Sequence, residues 1–265
     1  MTDAEFQEIV WQYSREYGRQ GLPWREDPSA YNVVVSELML QQTQVDRVVP
    51  KFLDFTRRFP DFVSLASAPL SDVLIAWQGL GYNRRAKYLH ELAKTVSQFG
   101  VLPHTIDELV RLPGIGKNTA GAILAYAFDQ PVVYIETNIR TVFLHHFFAD
   151  TFDVSDSELL PIIEQTLDVS EPRAWYSALM DYGTHLKKQG LGRIDASKHY
   201  KKQPKFEGSV RQMRGAILRA LTAGSLSREN LETKMNNDVR VDEALRQLLH
   251  ERLVVHDSTT YELAK

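Results

Sequence analysis

The sequence predicts a mainly α fold, with a helical body over residues 1–189, a basic linker over 190–208 and a small winged-helix-like domain over 209–265. Three observations carry this prediction. Apolar residues recur at helical spacing through the first two hundred positions, short punctuators separate the periodic runs, and the last segment changes to three helical runs followed by two short alternating ones.

In chain order, Phe6, Ile9, Val10, Tyr13 and Tyr17 mark a first amphipathic helix, and Leu89, Leu92, Ala93 and Val96 mark another farther on. Between the helical runs stand LPWREDPSA, RFPDFVSLASAPL, GLGYN, FGVLPHT and LPGIG, with proline, serine or threonine often placed just before the next helix. The pattern disappears in GLGRIDASKHYKKQPKFEG, read as a surface linker. Beyond it, VRQMRGAILRALTAG suits a helix ending at Gly224, SRENLETKM one capped by Ser227, and VDEALRQLLHERL a third. LVVHD and TYELA around STT then form a two-stranded wing.

With 265 residues, 43% of them hydrophobic and 25% charged, the chain can bury a sizeable core, which excludes disorder and fibrous repeats. No apolar stretch approaches the roughly 18 residues of a membrane span, and the first residues lack a basic region followed by an apolar run, so a cytoplasmic protein is expected. The absence of cysteine excludes disulfides, thiol nucleophiles and cysteine-held zinc or iron–sulfur clusters. The net charge of −3 hides an asymmetry: between His185 and Arg214 nine basic residues stand against two acidic ones.

The run LPGIGKNTAGAILAYAF is the most specific signal. Gly114 and Gly116 allow a tight turn between helices, and the backbone N–H groups that open the second helix can bind a phosphate with help from its dipole. Leu112, Lys117, Asn118 and Thr119 complete this candidate DNA grip. About twenty residues on, VVYIETNIRTV places a polar Glu-Thr-Asn cluster in apolar sequence, where Glu136 and Asn138 also read as a helix cap.

This combination resembles the helix-hairpin-helix DNA glycosylases, which include endonuclease III and MutY and carry a carboxylate at this distance from the hairpin. LPWREDPSAYNVVVSELMLQQTQVDRVVPKF and AWQGLGYNRRAKYL are similar to MutY signatures, so the chain is identified as a member of the MutY-like adenine glycosylases. The resemblance implies a two-lobed helical body, double-stranded DNA as partner, a monomer, and release of adenine mispaired with 8-oxoguanine or guanine in base excision repair.

It also implies site residues. Glu37, set in the apolar run VVVSELML, would have its pKa raised by burial and would protonate N7 of adenine. Glu136 would stabilise the sugar cation, although the family carries Asp there, and Asn138 would orient Glu136 or a catalytic water. Gln41, Gln42 and Tyr82 correspond to residues that enter the duplex around the target pair. Where bifunctional members place a nucleophilic lysine this chain has Asn118, with Lys117 one position early, so a monofunctional enzyme without lyase activity is expected.

Two departures stand out. The family's four cluster-holding cysteines are missing, so no cofactor is expected beyond an alkali-metal ion at the hairpin, and Lys198, Lys201 and Lys202 are expected to contact phosphates in the cluster's place. The 209–265 segment is patterned as a winged helix rather than as the β-rich domain that recognises 8-oxoguanine. Alternatives are release of thymine, uracil or hypoxanthine, and a non-catalytic DNA-binding relative.

Overall fold

The structure is a computed structural model that describes residues 1–200 and 203–265; the expected phosphate contacts Lys201 and Lys202 lie outside the described residues. In chain order its helices are α1 (Asp3–Tyr17), α2 (Pro23–Glu26), α3 (Ala30–Leu40), α4 (Val45–Arg58), α5 (Phe62–Ser67), α6 (Leu70–Ala76), α7 (Arg84–Phe99) and α8 (Ile106–Leu109). There follow α9 (Lys117–Phe128), α10 (Thr137–Phe147), α11 (Asp156–Thr166), α12 (Pro172–Lys188), α13 (Val210–Ala220), α14 (Arg228–Lys234) and α15 (Val241–His250). Two 3-10 turns (Ile194–Ala196 and Leu221–Ala223) and three short strands, β1 (Leu226–Ser227), β2 (Val254–His256) and β3 (Thr260–Leu263), complete the described elements.

Local chemistry explains the ends of these helices. Thr2 and Glu5 close a reciprocal capping box at the start of α1, with the Thr2 N–H donating to Glu5 Oε2 at 2.7 Å. α7 stops at Gly100, which takes the left-handed conformation (φ +79°) and returns its N–H to Val96. Ser227 caps α14, as its sequence predicts.

The chain divides into two compact units. Unit 1 comprises Met1–Glu37, Pro103–Arg111 and Ile115–Lys202, and unit 2 comprises Leu38–Leu102, Leu112–Gly114 and Gln203–Lys265. This division does not follow the expected linear boundaries. The winged-helix-like segment shares unit 2 with α4 to α7, and most of the expected linker belongs to unit 1, where Ala196 and Ser197 are buried and the Ser197 backbone bridges to Val154. Sequence periodicity shows which face of each helix is apolar, but not which helices pool those faces.

The core of unit 1 gathers aromatic rings from α1, α10 and α12: Phe6 is fully buried, 5.1 Å from Phe143 and 6.0 Å from Trp175 between ring centroids. In unit 2, Phe55 of α4 packs edge-on against Trp77 at 6.0 Å, and Leu89, Leu92 and Ala93 of α7 are buried. The C-terminal strands form an antiparallel sheet in the order β1-β3-β2, with Val254 opposite Leu263 and Leu226 opposite Tyr261. The sheet is three-stranded rather than the expected two-stranded wing, because the two residues before α14 join the hairpin. Among the described residues no helix is long and apolar enough to cross a membrane.

Candidate active site and nucleic-acid interface

The hairpin forms as its glycines require. Gly114 has φ +79°, and a Cβ there would stand 2.8 Å from that of Tyr88, so both conformation and space demand glycine. Gly116 is the N-cap of α9 and offers no side chain to its amides, while Gly116, Lys117 and Asn118 are exposed. Gly116 therefore brings no side-chain cap to the start of this twelve-residue helix, and Lys117 and Asn118 present its opening turn to solvent. Leu112 and Ile115 are buried, and Thr119 is half-buried.

In unit 1, Glu37 lies near the end of α3, amid Val33, Val34, Val35, Leu38 and Met39, all of them buried. Burial, and then the negative charge of Glu136, push its carboxyl from the ordinary 4.5 up to about 8. The phenols of Tyr126 and Tyr134 are close enough to feel the Glu37 charge, and burial raises both above the usual tyrosine range.

Glu136 caps α10: its Oε1 accepts from the Asn138 N–H at 2.5 Å and from the Ile139 N–H at 3.0 Å. Burial raises its pKa, with the two amides and the positive charges of Lys187 and Arg140 pulling the other way. Of the two roles expected of Asn138, orienting Glu136 or a catalytic water, its side chain makes no bond to Glu136, whose Oε1 accepts from the backbone amides instead. Instead Asn138 Nδ2 lies 3.8 Å from Met180 Sδ, and its buried Oδ1 has no partner. The helix start is pinned by Gly183 of α12, where a Cβ would come within 2.3 Å of the Asn138 carbonyl oxygen.

Sequence reasoning missed a third charged group of unit 1. Asp181, almost fully buried on α12, receives a two-pronged contact from Arg25 (2.9 and 2.8 Å) and the Nε–H of Arg19 at 2.6 Å. Burial alone would raise Asp181, but Arg25 and then Arg19 hold it below the ordinary carboxylate range. Tyr126 and Tyr134 sense the Arg25 charge as well. Nothing separates Arg25 or Asp181 in sequence from ordinary polar positions on amphipathic helices.

In unit 2, Gln42 and Tyr82 both have positive φ (57° and 47°), and the Tyr82 hydroxyl donates to Gln42 Oε1 at 3.1 Å. The clamp behind them is Arg85, buried and likewise missed. Its Nη1 donates to the carbonyls of Leu38 at 2.6 Å and Gln41 at 2.5 Å, while Nη2 reaches Leu80 at 3.2 Å and Gly81 at 3.1 Å. One guanidinium thus satisfies the orphan carbonyls at the end of α3 and fixes the loop that carries Tyr82. Lys198, in unit 1, is exposed.

An exposed helix-hairpin-helix turn and a half-buried carboxyl with a raised pKa are the features expected of a base-excision repair protein. The fold agrees: a thermostable thymine-DNA glycosylase superposes with a TM-score of 0.60 at 22% identity, over 68% of this chain and 85% of that one. An endonuclease III from a DNA complex gives 0.53 at 17% identity, over 70% and 86%. The HhH-GPD superfamily of base excision DNA repair proteins matches residues 35–162. Adenine DNA glycosylases are similar along most of the chain: that of Mycobacterium tuberculosis H37Rv is 35% identical over 93% of this chain and 88% of its own length. For that of Mycolicibacterium smegmatis the figures are 32%, 90% and 89%. The chain belongs to the HhH-GPD superfamily of base excision DNA repair proteins, within its adenine DNA glycosylase family. It spans about half the length of the Buchnera aphidicola (strain Bp) adenine DNA glycosylase, to which it is 35% identical over 186 residues. The four-thiolate cluster implied by the resemblance does not fit a chain without cysteine.

Proposed function

We propose that this protein is a monofunctional DNA glycosylase that hydrolyses the N-glycosidic bond of adenine mispaired with 8-oxoguanine or guanine. The observation that carries the reading is the Glu37 carboxyl, held protonated up to about pH 8 in an apolar setting. Glu37 donates its proton to N7 of a flipped-out adenine, the C1′–N9 bond breaks, and the base leaves neutral. The carboxylate of Glu136, with one oxygen held by two amides, faces the cation that develops at C1′. The unpartnered Oδ1 of Asn138 holds the water that adds to C1′, and the proton this water loses returns to Glu37.

The amides opening α9 take a phosphate of double-stranded DNA, and Lys198, with Lys201 and Lys202, takes others where the family has its cluster. The hairpin carbonyls are the place for an alkali-metal ion. Asn118 supplies an amide where a lyase needs an amine, and exposed Lys117 serves the phosphate instead. The protein acts as a monomer at the nucleoid. Single-turnover assays on duplexes with A opposite 8-oxoguanine, A opposite G, T opposite G, U opposite G and hypoxanthine opposite T test the reading. Release of adenine alone, without strand cleavage, is the expected result; preferential release of a pyrimidine overturns it.

A further inference from the structure

Unit 2 contains a cavity of about 1180 Å³, lined by the loop after α3, the loop of residues 79–82, Gly114 and the start of α13. Four polar side chains meet at its edge. The Tyr82 hydroxyl, which donates to Gln42, accepts from Arg211 Nη1 and from Gln203 Nε2. The central carbon of the Arg211 guanidinium also stands 5.2 Å from the ring centroid of Tyr82 and 5.5 Å from that of Phe206, within cation–π reach of both. Its Nη2 reaches the Pro204 carbonyl at 3.2 Å, and its buried Nε has no partner. Ser209 caps α13 and so fixes the turn that presents Arg211.

We propose that Arg211, with Gln42 and Tyr82, forms a reading site for the purine opposite the excised base. This rests on the base-excision reading above and adds to it a residue from the segment that follows the glycosylase body. An arginine fork donates two parallel hydrogen bonds, and the edge of guanine offers O6 and N7 side by side as acceptors. In 8-oxoguanine N7 carries a hydrogen and O8 is added, so the edge runs acceptor, donor, acceptor. Gln42 Oε1, linked to the guanidinium through the Tyr82 hydroxyl, supplies the acceptor for that hydrogen, and the Tyr82 ring supplies a stacking face. Cytosine and thymine present neither pattern. A residue that merely neutralised a phosphate would not need to share the Tyr82 hydroxyl with an adjoining amide.

The test is fluorescence-anisotropy titration of duplexes with a tetrahydrofuran abasic analogue opposite 8-oxoguanine, guanine or cytosine, for the full chain and for Arg211→Ala, Arg211→Lys and Gln203→Ala. The full chain is expected to favour the two purine duplexes. Arg211→Ala and Arg211→Lys should weaken those alone, by roughly 5- to 150-fold on guanine, the value of one good bidentate base contact, and by less on 8-oxoguanine, where the fork meets a single acceptor. Gln203→Ala, which removes a donor to both the Tyr82 hydroxyl and Gln42 Oε1 but leaves those two groups and Arg211 in place, should keep the preference. Equal weakening on all three duplexes, wild-type binding by Arg211→Lys, or no preference in the full chain overturns the proposal; should Arg211→Ala not fold, the lysine variant decides. Adenine release, measured on the same preparations, is a separate readout. A chain that prefers the purine duplexes through Arg211 yet frees no adenine disproves the catalytic reading and leaves this one standing.

Discussion

Around Glu37 the chain withholds solvent; around Tyr82 it supplies polar partners in excess. The first region is an apolar helix with one carboxyl, whose proton is retained because its charged form is desolvated and faces a second negative charge. The second is a pair of loops with backbone in the left-handed region, where hydroxyl, amide and guanidinium groups satisfy one another. Chemistry needs a group kept out of its ordinary ionisation state, and burial does that. Recognition needs groups that can exchange one partner for another, which burial would prevent.

Glu37→Gln breaks the comparison most severely if it is correct. The amide is isosteric but has no proton to give, so single-turnover base release should fall by about 10²- to 10⁴-fold, the range for a general acid, while DNA affinity stays. In the parent protein, release should decline as pH rises through about 8, when Glu37 ionises. Its folded-state pKa is raised, so the stability it contributes is complete below 4.5 and is lost as pH climbs toward about 8. Denaturant titrations across that window should show the loss, and Glu37→Gln should flatten it. A rate profile unchanged to pH 10 would leave Glu37 without its role.

Glu136→Gln comes next, because it separates the two tasks of this side chain. Glutamine keeps an acceptor for the amides of Asn138 and Ile139, so the cap survives and stability should change by less than about 1 kcal/mol. The negative charge is gone, and release should slow by about 10²- to 10³-fold. A loss of stability as large as the loss of rate would reduce Glu136 to a helix cap.

The two regions were unequally legible in the sequence. Glu37 stood out as the single acidic residue in an apolar helix, and Gly114 announced the turn that its positive φ confirms. The roles of Arg85 and Asp181 could not be read, since each is one polar position on an amphipathic helix and its burial depends on which loops or helices come to meet it. The same limit explains the linear domain boundaries. Residues 203–265 carry their own helical and strand patterns, and nothing in those patterns says that Gln203 and Arg211 would reach a tyrosine more than a hundred positions earlier.

Asp181→Asn probes what burial costs when the charge is needed for structure. Both arginines that converge on Asp181 would lose their counter-charge, and unpairing a buried ion pair typically costs about 3–5 kcal/mol. Asparagine keeps one acceptor, and the arginine side chains are themselves about a quarter exposed (30% and 22%), so an unfolding free energy lower by about 1–2 kcal/mol is the expected result. Base release by the folded fraction should change little.

Tyr82→Phe should have the smallest effect and is the sharpest test of the loop region. The substitution removes the hydroxyl that links Gln42, Gln203 and Arg211 but keeps the ring. If the ring acts by stacking between bases, DNA affinity should stay within about 1 kcal/mol of the parent, the size of one exchanged hydrogen bond. Tyr82→Ala should cost about 1–3 kcal/mol for the lost stacking. Equal losses in the two variants would mean that the hydroxyl network, not the ring, contacts DNA. The loops would then resemble the carboxyl region after all, with polar groups locked in one arrangement rather than free to change partners.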